Sequence, residues 1–100
     1  MSTEQEKHDM AVTIRIPGAL RQWAEGQRAL SVDSTNVGEA VRKLCTTYPA
    51  VAERVLDEQG QPRRFVNLYV NGEDVRLLKG TETQLSDGDE VIIAPAVAGG

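Results

Sequence analysis

Residues 36–49 carry a helix signal closed at both ends, and that one element limits the folds open to a chain of 100 residues. Asn36 is a good N-cap, and Glu39, three residues on, matches the glutamate of a capping box. Val37, Val41, Leu44 and Tyr48 then recur at i, i+4, i+7 and i+11, which predicts a single apolar stripe. Pro49 stops the helix. Ala50–Leu56 offers one further helical turn, with Val51, Val55 and Leu56 apolar. One stripe needs one covering surface, and the rest of the chain must supply it.

That surface reads as strands. Val12-Thr13-Ile14-Arg15-Ile16 alternates apolar and polar residues, as a half-buried strand does, and Pro17-Gly18 ends it. A loop with Trp23 and Gly26 follows, then Arg28–Val32 as a second strand with Leu30 and Val32 inward, closing a hairpin. Trp23 reads as a lid over the core or as an anchor for a partner. Phe65–Val70 is the most strand-like run; its apolar residues fall on both faces, which suggests a central strand. Asn71-Gly72 signals a tight turn, Val75–Leu78 a short strand broken by Lys79-Gly80, and Ser86–Asp89 another turn. Glu90–Ala94 is the last strand, ended by Pro95. The expected order is strand, strand, helix, strand, short strand, strand. This is an α+β arrangement, with a mixed sheet if the first and last strands run parallel in its centre.

Composition removes several functions. The net charge is -4, which argues against nucleic acid as the main partner. No apolar run approaches the roughly 20 residues of a membrane span, and the polar N-terminus lacks a signal-peptide pattern. One cysteine and one histidine exclude a Cys/His zinc cluster, and a chain without an internal disulfide is expected in a reducing cytoplasm. Cys45 lies beside the helix stripe and reads as packing rather than as a nucleophile, because His8 sits in the polar N-terminal stretch. His8 itself reads as a solvated tail residue. The acidic turn Ser86–Asp89 lacks the ligand series of a calcium loop. Arg63-Arg64 is either a solvated loop end or a contact for an acidic partner surface. Residues 1–10 are read as a disordered extension, with Met10 an alternative start, 11–95 as one domain and 96–100 as a flexible tail.

That tail, Ala96-Val97-Ala98-Gly99-Gly100, carries the functional signal. At average glycine usage two terminal glycines arise by chance in about one chain in 200. Lacking Cβ atoms, they can lie in a channel too narrow for other residue pairs. Five extended residues reach at most about 16–18 Å, enough to thread a partner's active site while the body stays outside.

The segments VTIRIP (12–17), FVNLYVNG (65–72), EDVR (73–76), DGDEV (87–91) and PAVAGG (95–100) resemble the β-grasp, ubiquitin-like sulfur carriers. That group includes the molybdopterin-synthase small subunit (MoaD type) and the thiamin carrier (ThiS type). The likeness is nearest to the CysO-type carriers of cysteine biosynthesis and runs from about residue 11 to the end. It implies a mixed sheet of four to five strands on one main helix, and a co-substrate rather than an enzyme. It also implies that Gly100 is the site of adenylation and thiocarboxylate formation. Gly99, Ala98, Val97 and Ala96 would be recognised by the activating and sulfur-accepting enzymes. A terminal carboxylate is anionic at neutral pH and a poor electrophile. The family therefore spends ATP through a separate ubiquitin-activating-type adenylyltransferase. No cofactor or metal is bound by the carrier itself. The further partners implied are a sulfur-accepting synthase, cysteine-synthase-like or other, and a metalloprotease that releases product, with the carrier alone monomeric. A ubiquitin-like modifier joined to lysines, or a molybdopterin- or thiamin-type carrier, would share the tail. A plain β-grasp binding module is the remaining alternative.

Overall fold

The computed structural model describes residues 11–95; the stretches expected to be the N-terminal extension (1–10) and the tail (96–100) lie outside the described residues. The elements are β1 (Ala11–Arg15), β2 (Ala29–Asp33), α1 (Val37–Thr47), α2 (Pro49–Val55), β3 (Val66–Val70), β4 (Glu73–Asp74) and β5 (Glu90–Pro95). Short 3₁₀ turns occupy Gly18–Trp23, Val75–Leu77 and Gly80–Glu82.

The sheet has five strands in the order β2-β1-β5-β3-β4. β1 and β2 form the antiparallel hairpin expected from their alternation, with Ile14 opposite Leu30. β1 runs parallel to β5, and β3 antiparallel to it, so the sheet is mixed as anticipated. Sheet and helices share one core. Val12, Ile14 and Ile16 from the first strand segment, Leu68 and Val70 from β3, and Val91 and Ile93 from β5 face Val37, Val41 and Leu44 of α1. Val51 and Val55 of α2 close it.

The Asn36 side chain caps α1 by accepting from the Glu39 backbone N–H at 2.8 Å. Glu39 does not complete the reciprocal box: its carboxylate accepts from the Thr35 N–H at 2.9 Å, one residue earlier than the motif implies. The buried Ser34 hydroxyl, which donates to the Asn36 carbonyl at 2.9 Å, also lies 3.2 Å from Glu39 Oε1. Gly38 is favoured by close packing rather than by a turn. A Cβ there would sit 3.2 Å from the Thr81 carbonyl oxygen.

Four expectations need correction. Phe65–Val70 is an interior strand, as expected, paired with β5 on one side and β4 on the other, but it is not covered on both faces. The apolar residues on its second face are not buried: Tyr69 is half-buried, and Phe65, just before the strand, is 62% exposed. The short strand is Glu73–Asp74, and Val75–Leu77 is a 3₁₀ turn that Asp74 caps by accepting from the Arg76 N–H. Only Val75 of that turn is buried, and Leu77 is 77% exposed. Pro49 ends α1 but also opens α2, which runs two turns rather than one. Proline suits a first helical position because its missing N–H has no intrahelical partner there. Finally, the stretch with Trp23 is a 3₁₀ turn rather than an open loop, with Leu20 buried beneath it. Trp23 packs on the core as a lid, with the Arg54 guanidinium stacked 3.7 Å from its ring centre.

Candidate functional site: the strand that leads to the Gly-Gly end

The residues singled out for chemistry, Ala96, Val97, Ala98, Gly99 and Gly100, lie outside the described residues. The structure describes the strand that precedes them. β5 is paired on both sides, Ile92 lying between Arg15 of β1 and Tyr69 of β3, and its last residue Pro95 opposes Val66. Val91 and Ile93 point into the core and are 0% exposed. The chain therefore reaches residue 96 from the centre of the sheet rather than from an edge.

The beginning of β5 is fixed by polar turn residues. Asp89 Oδ2 accepts from the Ser86 N–H at 2.8 Å, and the Asp89 N–H donates to the Ser86 carbonyl at 3.0 Å. Asp87 Oδ1 accepts from the Ala11 N–H at 3.1 Å, which ties the turn to the start of β1. Asn71 completes the arrangement. Its Nδ2 donates to Asp89 Oδ1, and its Oδ1 accepts from the Glu90 N–H, both at 3.0 Å. Asn71 adopts φ 51° and Gly72 φ 89°, the left-handed pair of the hairpin turn expected from Asn-Gly. The acidic residues of Ser86–Asp89 are thus used as turn acceptors, and among the described residues no group of three or more His, Cys, Asp or Glu could hold a metal ion.

On the sheet face away from the helices, Arg15, Ile92, Tyr69 and Asp74 fall in one row across four strands. Arg15 pairs with Glu90 at 3.5 Å. Arg76 binds Asp74 Oδ2 at 2.7 Å and Asn67 Oδ1 at 3.0 Å. Hydrogen bonds from the Arg76 side chain, then from its backbone N–H, hold the Asp74 carboxyl below its ordinary value. At the other end of β3, Arg63 and Arg64 are exposed. Sequence reasoning had found this pair but not its position: Val66, two residues beyond Arg64, is the partner of Pro95.

Cys45 is buried, and desolvation raises its thiol to about 11. A neutral, enclosed thiol is a poor nucleophile, consistent with packing. His8 lies outside the described residues. No helix among the described residues is long and apolar enough to cross a membrane.

The ThiS family profile matches residues 14–100, which includes the whole described sheet after its first three residues and the terminal glycines. The chain belongs to the ThiS family. Its similarity to the sulfur carrier protein CysO of Mycobacterium tuberculosis is 44% identity over 93 residues, covering 91% of this chain and all of that one. A solved structure, the BexX/CysO complex of Amycolatopsis orientalis, contains a chain that superposes with a TM-score of 0.80 at 38% identity, over 90% of this chain and 100% of the other. The small archaeal modifier protein 3 of Haloferax volcanii is 41% identical over 68 residues, 68% of this chain and 73% of its own length. These likenesses make the architecture a ubiquitin-like β-grasp. The relatives are named as carriers and modifiers, and this ThiS-family chain stands with them as a carrier rather than an enzyme.

Proposed function

We propose that the chain is a sulfur carrier whose working atom is delivered at the Gly100 carboxylate. The carboxylate attacks the α-phosphate of ATP in a separate ubiquitin-activating-type enzyme, giving an acyl-adenylate and releasing pyrophosphate. A sulfur donor then attacks the acyl carbon, AMP leaves, and a thiocarboxylate remains on Gly100. That sulfur is passed to a biosynthetic acceptor, with cysteine as the favoured product and the accepting enzyme a cysteine-synthase-like or related synthase. If the product stays peptide-linked to the tail, a metal-dependent protease releases it. Gly99 gives the carboxylate close access to an active site, and Ala96–Ala98 set its reach. The carrier itself binds no cofactor, and the buried single thiol suits a reducing cytoplasm.

The observation that carries this reading is the end-to-end likeness to CysO, 44% identity over 100% of that relative, in a chain that ends Gly99-Gly100. The pairing of a CysO chain with BexX in a solved complex supports a partner-dependent role. The test is incubation with a matching activating enzyme, ATP and sulfide, followed by intact mass. Replacement of one oxygen by sulfur is expected, and its absence with every cognate activating enzyme would overturn the proposal.

Likeness to the archaeal modifier favours a second reading, attachment of Gly100 to lysines as an isopeptide. It shares the adenylation step but predicts conjugates that survive reducing gels, which a dedicated carrier does not form.

A further inference from the structure

β4 covers only Tyr69 and Val70 of β3, so the first part of that strand has no strand neighbour on the side away from β5 among the described residues. A groove of about 440 Å³ lies there. Val66, Leu68 and Val75 supply apolar wall, while Arg63, Arg64 and Arg76 supply positive charge. The three arginines are not equivalent. Arg76 is neutralised by Asp74 at 2.7 Å. Arg63 donates through Nε to the Glu53 carbonyl, and among the described residues neither Arg63 nor Arg64 has a carboxylate within ion-pair distance.

Arg63 and Arg64, without a carboxylate partner among the described residues, precede the strand whose first residue Val66 opposes Pro95. Pro95, the last described residue, opposes Val66 at about one strand spacing, ~4.8 Å, and Val66 is part of the groove wall. Five residues reach at most about 16–18 Å, more than enough to turn back across the start of β3. Ala96, Val97 and Ala98 are small and apolar, suited to the half-buried Val66 with the buried Leu68 and Val75 beneath it, and the segment ends in the one group with the complementary charge, the Gly100 carboxylate.

We propose that this groove is a receptor for the chain's own terminus, in which 96–100 fold back beside β3 and the Gly100 carboxylate rests on Arg63 and Arg64. The inference rests on the reading of Gly100 as the free working carboxylate, and it adds regulation to that site. Docked, the tail is withheld from any enzyme channel; a partner that threads the tail must first displace it. Because guanidinium–carboxylate contacts at an exposed site are screened, the docked state weakens as salt rises. A thiocarboxylate is also anionic, so the charged product can return to the same place.

The test uses the full chain, isotopically labelled, at low salt. The Gly100 carboxyl carbon and the amides of Val66, Leu68 and Val75 are followed by NMR through acid titration, with the Asp74 carboxyl followed separately because it faces Arg76. The expectation is that the groove amides titrate together with Gly100. Its pKa should lie below the usual terminal value of about 3.5 and rise by roughly half a unit or more in Arg63→Gln/Arg64→Gln. A Gly100 titration identical in the two proteins overturns the proposal. Deleting Gly99-Gly100 gives a readout that needs no arginine variant: it should shift the Val66, Leu68 and Val75 amides, and unchanged amides again overturn it. Failure of any activating enzyme to adenylate the chain would sink the carrier reading while leaving this titration intact. A groove blind to the tail would do the reverse.

Discussion

At its head, β5 is tied to both neighbouring elements by side chains, with Asp87 reaching Ala11, and Asn71 reaching Asp89 and Glu90. At its far end, the described contacts are the backbone ladder to β3, and Arg63 and Arg64, just before that strand, have no carboxylate partner among the described residues. The difference separates two tasks on one strand. Polar groups that satisfy one another at the head fix register and stability. Charge and apolar surface left unsatisfied near residue 95, including Phe65 at 62% exposure, are available to bind something else.

The contrast can be tested from either end. Removing Gly99-Gly100 should have the largest functional effect, complete loss of thiocarboxylate formation by intact mass, with an unchanged thermal midpoint at high salt, where tail docking is screened. A lowered midpoint would mean that the tail contributes to the fold. Ile93→Ala should be the largest loss of stability, about 2–5 kcal/mol in urea denaturation, because it opens a cavity in a fully buried part of β5. Asn71→Ala should cost roughly 1–3 kcal/mol, combining a positive φ that alanine adopts poorly with the loss of two hydrogen bonds to the head of β5. A neutral outcome there would erase the distinction between the two ends.

The smallest expected effect lies on α1. Glu39 is held below its ordinary value, first by the hydrogen bond from the Thr35 N–H and then by the Thr35 and Ser34 hydroxyls and by Lys43, against some desolvation. Its stabilising contribution is therefore fully present above the unfolded value near 4.3 and is lost as pH falls through the lower folded value. Glu39→Gln should flatten that part of the profile of urea midpoint against pH and leave the neutral-pH midpoint slightly reduced. An identical slope in both proteins would remove Glu39 as its source.

Much of this was legible because it depends on local chemistry. The alternation in Val12–Ile16, the cap at Asn36 and the Asn71-Gly72 turn each specify a backbone state through residues close together in sequence. The errors arose where a decision belonged to distant residues. Phe65–Val70 carries apolar residues on both faces, yet the core covers only one of them, leaving Phe65 62% exposed and Tyr69 half-buried. Val75–Leu78 has strand-like composition, but the Asp74 side chain captures the Arg76 N–H and starts a 3₁₀ turn.

Of the site, the sequence by itself singled out the Gly99-Gly100 end as the proposed place of the chemistry, because a Gly-Gly end is read without any tertiary partner. It also carried Arg63-Arg64 as a pair with two meanings, a solvated loop end or a contact for acid. Only the tertiary structure could place that pair next to the strand end opposite Val66, since the pairing joins residues 66 and 95 across the Asn71-Gly72 and Ser86–Asp89 turns, a short strand and two 3₁₀ turns. Sequence records which charges a chain owns. Which of them find partners is decided by long-range packing, and here it leaves two arginines without an acidic neighbour among the described residues beside the strand that leads to Gly100.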